Sequence, residues 1–486
     1  MGTWTGLIGD YWKVARHYGR QFTVWSMRNR LGIEAYPFMP DGDFGNTITK
    51  GPQEIRVATS TQEVVDVLTE ARERGIPVNT CGGHHSMRGQ TLSAGGLRLI
   101  PQFPADIRLS QDESGDVVSV GASARWEALT VLHEQGLAIP VFTTHRSTTI
   151  AGTLSISGVG QRSYLYGRQI DTVRSLELIL PSGDVVTCSH KDNTELYRHT
   201  LSGFGTTGII RRITLETIDY RPHLVHILFD YDDTDSYLAH ARSLSQRAPA
   251  PWDDSLRNVW TNRDHDTYTV HYGFEFASLE QANACSKTLP TFLEPHRAHH
   301  YASRLTTFEA QSATRRAGLD ALIAGEWGLS KTPTHVPFWN EFVFPTFAGF
   351  RTFTEAVEKE LQGGALRRYY MGVYCLWLKS RPEQPHFPMS FYSHRTPSDS
   401  GYHYGYGLYY HVPRTDTAGL EALHSYYREL QTLAHSLDGR LYNYSWHDWS
   451  LDTYRQVYGP DWDSTTAHKA EVDPGYLLNP DVLPFR

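Results

Sequence analysis

A short apolar strand that runs straight into a glycine-rich turn leaves few folds open. Val78-Asn-Thr-Cys-Gly-Gly-His-His-Ser-Met-Arg-Gly-Gln90 is such a stretch. Gly82, Gly83 and Gly89 carry no side chain to block approach, so backbone N–H groups can converge on an anion there. The turn suits a pyrophosphate, and His85, immediately before Ser86, offers a nucleophilic imidazole beside it. What precedes the turn is a βαβ pattern. Ile55 to Ala58 is strand-like, and Ser60 and Glu63 form an S-x-x-E capping box. Val64, Val67, Leu68 and Ala71 then fall on one helical face. Gly75 and Pro77 stop that helix, and Ile76 to Thr80 is the strand that feeds the turn. The turn therefore sits at the carboxyl end of a strand, where open α/β sheets bind ligands.

Further along, Ala151-Gly-Thr-Leu-Ser155 and Gly158 form a second small-residue stretch, followed by Gly167-Arg-Gln-Ile170. Val173 to Leu180 and Val185 to Thr187 read as a hairpin across Pro181-Ser-Gly-Asp184. Gly203-Phe-Gly-Thr-Thr-Gly208 spells G-x-G-x-x-G, but a helix precedes it and the β-like Ile209 to Glu216 follows. A dinucleotide fingerprint needs the reverse order, so a nicotinamide-binding Rossmann domain is a poor reading. After about residue 217 the character changes. Leu224 to Phe229, Tyr268 to Phe274, Val336 to Phe344 and Gly401 to His411 are strand-like, with helical stretches at Asp235 to Arg247 and Arg351 to Leu361. Alternation puts Tyr402, Tyr404 and Tyr406 on one face. Tyr442-Asn-Tyr444 and Lys469 to Pro480, with Asp473-Pro474 and Leu478-Asn-Pro480, close the chain.

These segments, in this order, resemble the FAD-linked oxidases of the vanillyl-alcohol oxidase type, and among them the cytokinin dehydrogenases and the berberine-bridge-like enzymes. The resemblance covers most of residues 50–216 and 436–486. The family's attachment loop reads roughly Gly-x-Gly-His-Ser-x-x-Gly-Gln, with its His bonded to the flavin. It implies FAD, held covalently through His85, with His84 in the place of a family Gly. It also implies an α+β fold. A discontinuous, two-subdomain FAD-binding domain of the PCMH type (residues 1–216 and 441–486) would clasp a cap, or substrate, domain (residues 217–440) with an antiparallel sheet flanked by helices. The flavin-binding residues would be Gly82, Gly83, His84, His85, Ser86, Gly89, Gln90, Gly152, Thr153, Ser155, Gly158, Gly208, Ile210, Tyr444 and Asn479. No second attachment Cys stands between Gly158 and Gly167, so a single bond is expected.

The family pattern breaks where proton transfer is done. Cytokinin dehydrogenases place an Asp shortly before the Gly-Gly-Thr-Leu-Ser core, and here that position is Thr144. A threonine is no base near neutral pH, and a positioned base contributes roughly 10²–10⁴-fold. His145 is a replacement candidate, its plainer alternative being a structural loop histidine. Asn340 matches the family's Asn in Pro-Trp-x-Asn and is expected to orient a polar substrate group; ordinary strand packing is the alternative. Phe338 stands where the family has Trp. Glu341 would replace the carboxylate if it faces the pocket, but alternation sets it opposite Asn340. Tyr404 and its neighbours are expected to line the pocket or to pack in the sheet. The pattern predicts little activity on cytokinins and a larger, less basic substrate.

Composition bounds the rest. A net charge of −8 with 45 Lys+Arg and no basic run argues against nucleic acid. Four scattered cysteines give neither a disulfide framework nor a zinc site. His296-Arg-Ala-His-His300 lacks a carboxylate at helical spacing, so no metal is expected. The start has no apolar signal-peptide core and no run approaches a membrane span, which makes a cytoplasmic enzyme the default. The functional expectation is an FAD-dependent oxidase or dehydrogenase of a small organic molecule, in secondary metabolism. Oxygen or another acceptor would take the electrons, and a homodimer is left open. A flavin-retaining, non-redox cyclase is the alternative, with a cytokinin dehydrogenase proper behind it. A non-catalytic flavin-binding protein comes last.

Overall fold

The computed structural model describes Asp43, Ile48, Lys50 and residues 54–143, 146, 148–246, 252–264, 266–292, 301–307, 335–392 and 397–485. Thr144, His145 and the 296–300 histidine run lie outside the described residues, as does most of the stretch before residue 54.

The N-terminal half forms two small sheets. β1 (Glu54–Ala58), β2 (Val78–Thr80) and β3 (Leu97–Pro101) make a parallel sheet in the order β1-β3-β2. Helix α1 (Thr61–Arg74) crosses from β1 to β2. Ser60 caps it by accepting from the Glu63 N–H, but the Glu63 carboxylate reaches back to the Thr59 N–H rather than to Ser60. Gly75 ends it at φ 63°, a left-handed turn that glycine adopts without strain. Val64, Val67, Leu68 and Ala71 are the buried face, as the i, i+3, i+4, i+7 spacing requires. The second sheet holds β4 (Arg108–Asp112), β5 (Gly115–Gly121), β7 (Val173–Ile179), β8 (Val185–Ser189) and β9 (Ile209–Glu216), all antiparallel, in the order β4-β5-β9-β7-β8. A two-stranded ladder joins β6 (Leu137–Ala138) to β10 (Ile218–Asp219).

Beyond these stands one eight-stranded antiparallel sheet. Its strands are β11 (His223–Tyr231), β12 (Leu256–Asp264), β13 (Thr267–Phe276), β14 (Tyr301–Thr307), β15 (His335–Phe344), β16 (Tyr370–Lys379), β17 (Tyr402–Pro413) and β18 (Arg440–Leu441). They lie in the order β14-β11-β13-β12-β16-β17-β15-β18. Helices α2 (Thr234–Ser243), α3 (Leu279–Phe292), α4 (Phe347–Gly363) and α5 (Thr417–Ser436) contribute to the same core as one face of it. That core takes Tyr237, Phe350, Phe353, Val357, Leu423 and Tyr427 from the helices and Val270, Phe338, Phe342, Tyr404, Tyr406 and Tyr410 from the strands. The period-2 geometry of strands sends the intervening residues to the other face.

The C-terminal segment returns to the first sheet. After α6 (Pro460–Val472), Leu478 bridges Val78 in parallel, with N–H···O bonds of 2.8 and 2.7 Å from Val78 to Leu477 and from Asn479 to Val78. The buried Lys469 ammonium fixes this return through Asp473 (2.6 Å), Thr206 O (2.8 Å) and Leu478 O (2.7 Å). A second buried charge cluster joins the two halves. Arg162 meets Glu275 of β13 in a bidentate pair at 2.9 and 2.7 Å, and Asn258 adds a hydrogen bond to the same carboxylate. Among the described residues no helix is long and apolar enough to cross a membrane.

Candidate functional site

A cavity of about 680 Å³ lies between the glycine-rich turn and the uncovered face of the eight-stranded sheet. This is within the range of small-molecule and cofactor sites. One wall is built by residues 80–86, 148–156 and 204–210. The opposite wall is built by Trp260, Trp339, Tyr374, Leu376, Tyr409 and Glu341, with Tyr442 and Tyr444 from the returning segment. Among the described residues no Lys or Arg lines it.

The first wall is a cradle of small residues. A Cβ on Gly82 would strike the Thr149 hydroxyl, and one on Gly83 would lie 2.9 Å from the His85 ring. The Thr149 Oγ1 is buried and has no protein partner among the described residues. Unpaired buried hydroxyls are costly, so this one is a ready donor to a ligand. With no Lys or Arg among the described lining residues, a diphosphate here would be held by backbone N–H groups and hydroxyls. These features fit FAD. His84 takes φ 57°, the left-handed region that glycine adopts without strain. Its ring is tied down, with Nδ1 2.6 Å from the Thr91 hydroxyl and 3.6 Å from the Cys81 sulfur. His85 keeps its ring over Gly83 on the cavity side.

The second wall is aromatic with two polar places. At one, Glu341 accepts hydrogen bonds from Tyr409 (2.9 Å) and Tyr444 (3.0 Å), both on the same oxygen, Oε1. Burial pushes this carboxyl above the ordinary range, while the two phenols pull it back. At the other, the His271 ring stacks on Trp260 with centroids 4.5 Å apart. Its Nε2 is 2.5 Å from Asn262 Oδ1 and its Nδ1 is 3.0 Å from His226 Nε2. Sheet register puts Asn262, Tyr374, Gly407 and Glu341 on one row across β12, β16, β17 and β15. At about 4.8 Å per strand the two polar places are roughly 14 Å apart.

Gly82, Gly83, His84, His85, Ser86, Gln90, Gly152, Thr153, Ser155, Gly208, Ile210 and Tyr444 all line the cavity. Gly89, Gly158 and Asn479 do not. Gly89 makes a left-handed turn at φ 64° against Ile48. Gly158 gives room to the buried Gln169 side chain. Asn479 clips the returning segment to Thr80 and Gly205, bonding the Thr80 N–H at 2.8 Å, and so shapes the cavity from behind. Gly203–Gly208 follows the helix Thr194–Thr200 and precedes β9, so it is no dinucleotide fingerprint.

Two expected substrate-handling residues are corrected. Asn340 is fully buried on the helix side of β15, where its amide pairs with both backbone groups of Trp446 at 3.2 and 2.9 Å. Tyr404 also faces the helices, packed on Phe347, Phe350 and Trp377, with its hydroxyl 2.6 Å from Ser400. Strand parity explains both. Val336, Phe338, Phe342 and Phe344 claim the helix face of β15, so Asn340 goes with them and Glu341 goes to the cavity. In β17 Tyr409, of the other parity, lines the cavity. Thr149, Tyr409, Asn262 and His271 were not singled out in the sequence. The first three are ordinary polar residues there, and His271 is one histidine among 24.

Residues 52–189 match a family described as an FAD binding domain. Among similar proteins, "Cytokinin dehydrogenase 7" of Oryza sativa subsp. japonica is 29% identical over 202 residues, 40% of this chain and 38% of that protein. "Cytokinin dehydrogenase 4" of Arabidopsis thaliana is 31% identical over 199 residues, 37% of each chain. An "Uncharacterized oxidoreductase ORF5 in fasciation locus" of Rhodococcoides fascians is 30% identical over 212 residues, 42% of this chain and 47% of that protein. The matched stretch thus spans under half the length of these relatives. Residues 52–189 are thus similar to an FAD-binding domain, and the stretch that lines this cavity is akin to the matched part of the cytokinin dehydrogenases.

Proposed function

We propose that the chain is an FAD-dependent oxidase or dehydrogenase that acts on a small organic molecule held between the flavin loop and the eight-stranded sheet. FAD, when bound, is the oxidant and accepts two electrons and a hydrogen from the substrate carbon. In this reading His85 carries the flavin covalently, and the backbone of residues 82–86 with the Thr149 hydroxyl cradles its phosphates. Trp260, Trp339 and Tyr374 hold the substrate by its apolar surface and exclude water. Residues 1–216 and 441–486 form the flavin domain, and residues 217–440 the cap. Oxygen or another acceptor takes the electrons, and the setting is a cytoplasmic tailoring step of secondary metabolism. The observation that carries the reading is one cavity with the His85 loop on one wall and a buried carboxylate on the other.

A flavin-retaining, non-redox cyclase is the second reading, favoured by Thr144 at the position of the family's carboxylate. Anaerobic mixing with a panel of benzylic amines and alcohols separates the two. Bleaching of the flavin supports oxidation. Conversion of a ring-forming substrate with the flavin still oxidised supports the cyclase and overturns the oxidase reading.

A further inference from the structure

The Glu341 carboxylate is arranged asymmetrically. Both phenols, Tyr409 and Tyr444, donate to Oε1. Oε2 has no hydrogen-bond partner among the described residues and belongs to a side chain that lines the cavity. Among the described residues no Lys or Arg lines the cavity to neutralise it. The backbone is built around this arrangement. Glu341 stands directly opposite Gly407 in the β15–β17 register, and a Cβ at Gly407 would lie 2.6 Å from the Tyr409 hydroxyl and 3.0 Å from Glu341 Cγ. Glycine in a strand interior weakens the strand, so its presence marks a place where something must approach closely. Here that something is the Tyr409 phenol folded back onto its carboxylate. On the far side, the Glu341 N–H donates to Ser445 (3.0 Å) and its C=O accepts from Tyr442 (2.7 Å), which fixes the strand to the segment that carries Tyr444.

Resting on the oxidase reading above, we propose that Glu341 is the catalytic residue that accepts the substrate's N–H or O–H proton, taking the part for which Thr144 is unsuited. Tyr409 and Tyr444 are its positioning residues. The substrate offers H–C–X–H, with X nitrogen or oxygen. The X–H proton moves to Oε2, and the X–H electron pair becomes the second bond of C=X. The C–H pair leaves with its hydrogen to the oxidant, FAD. Two phenols on one oxygen lock the carboxylate plane and leave the other oxygen, Oε2, for the substrate, which is how a site holds a base in reach of one proton. The titratable groups around Glu341 are Tyr409 on the next strand, Tyr442 and Tyr444 on the returning segment and Cys375 of β16; Tyr374, His271 and His85 share the cavity.

The test uses the flavoprotein as purified and benzamidine as probe, an aromatic cation, with benzamide as its neutral twin. Wild type should bind benzamidine more tightly as the pH rises through the Glu341 titration, with benzamide indifferent to pH. E341Q should lose about ten- to a hundredfold in benzamidine affinity, as expected for a lost charge-assisted hydrogen bond, and should lose the pH dependence. Y409F and Y444F should each keep the dependence but move its midpoint upward, because each removes a bond that favours the ionised form. Infrared titration should show a protonated carboxyl band in wild type that E341Q lacks. With benzylamine as reductant, E341Q should slow flavin bleaching by roughly 10²–10⁴-fold. Benzamidine binding and bleaching unchanged in E341Q would overturn the assignment. Should E341Q fail to fold, an unmoved midpoint in both Tyr variants would overturn it equally. A flavin that no member of the panel reduces, with the benzamidine titration intact, counts against the oxidase reading instead.

Discussion

Asn340 and Glu341 are adjacent in the chain and serve opposite sides of β15: the Asn340 amide closes on both backbone groups of Trp446, and the Glu341 carboxylate closes on Tyr409 and Tyr444 in the cavity. Their substitutions should therefore separate. N340A leaves the buried Trp446 N–H unpaired, while Gln431 still donates to the Trp446 C=O at 3.1 Å, and should cost about 1–3 kcal/mol of stability. At a temperature where the variant remains folded, its ligand affinity should stay near that of wild type. Urea unfolding and a benzamidine titration measure the two effects.

The raised carboxyl of Glu341 has a stability consequence of opposite sign to its proposed use. Because its folded pKa lies above the unfolded value, the folded state binds the proton more tightly. Stability from this group is present at acid pH and is lost as the pH rises through the folded pKa. E341Q cannot ionise and still accepts from the two phenols. It should melt higher than wild type at neutral and alkaline pH, with the difference closing in acid. Calorimetry at several pH values checks this.

The Arg162–Glu275 pair is buried on both sides and spans the two halves of the fold. Removing one partner strands the other charge in the interior. R162M alone should cost about 3–5 kcal/mol, and R162M combined with E275L should recover a large part of that loss. A double-mutant cycle of unfolding free energies gives the coupling.

Acid should weaken the fold early. Burial lowers His199 and His403 to about 3 and His411 to about 4. In the unfolded chain each titrates near 6.5, so below about pH 6.5 the unfolded state takes up the extra protons. Stability should fall as the pH drops through that window, by up to about 1.4 kcal/mol per pH unit for each such histidine. His403 stacks on Tyr392 with centroids 3.8 Å apart. H403F keeps the stack and removes the titration, so its stability should depend less steeply on pH there.

Much of the flavin-side architecture was legible because local signals agree with one another. Helix α1 has its cap, its apolar stripe and its terminal glycine in sequence, and the 78–90 turn follows a strand that pairs as expected. The order helix, Gly203–Gly208, strand was enough to dismiss a Rossmann motif. The eight-stranded sheet was less legible, since parity fixes which residues share a face but not which face meets the cavity. Tyr402, Tyr404 and Tyr406 do share a face, and it is the helix-covered one. For β15 the signal was present in the apolar parity of Phe338, Phe342 and Phe344, which assigns Asn340 to the core and Glu341 away from it. The Thr149 hydroxyl and the Tyr409–Glu341 contact depend on chain segments far apart in sequence, and no local pattern announces them.

The proposed attachment of FAD to this cavity through His85 is tested most directly by acid precipitation of the purified protein. Wild type should give a yellow pellet whose flavin stays with the polypeptide. H85A should give a colourless one, and H84G, which suits the left-handed turn at φ 57°, should stay yellow. Complete release of the flavin from wild type would contradict the covalent attachment. A pellet that loses its colour in H84G and keeps it in H85A would place the bond on the wrong histidine for this account.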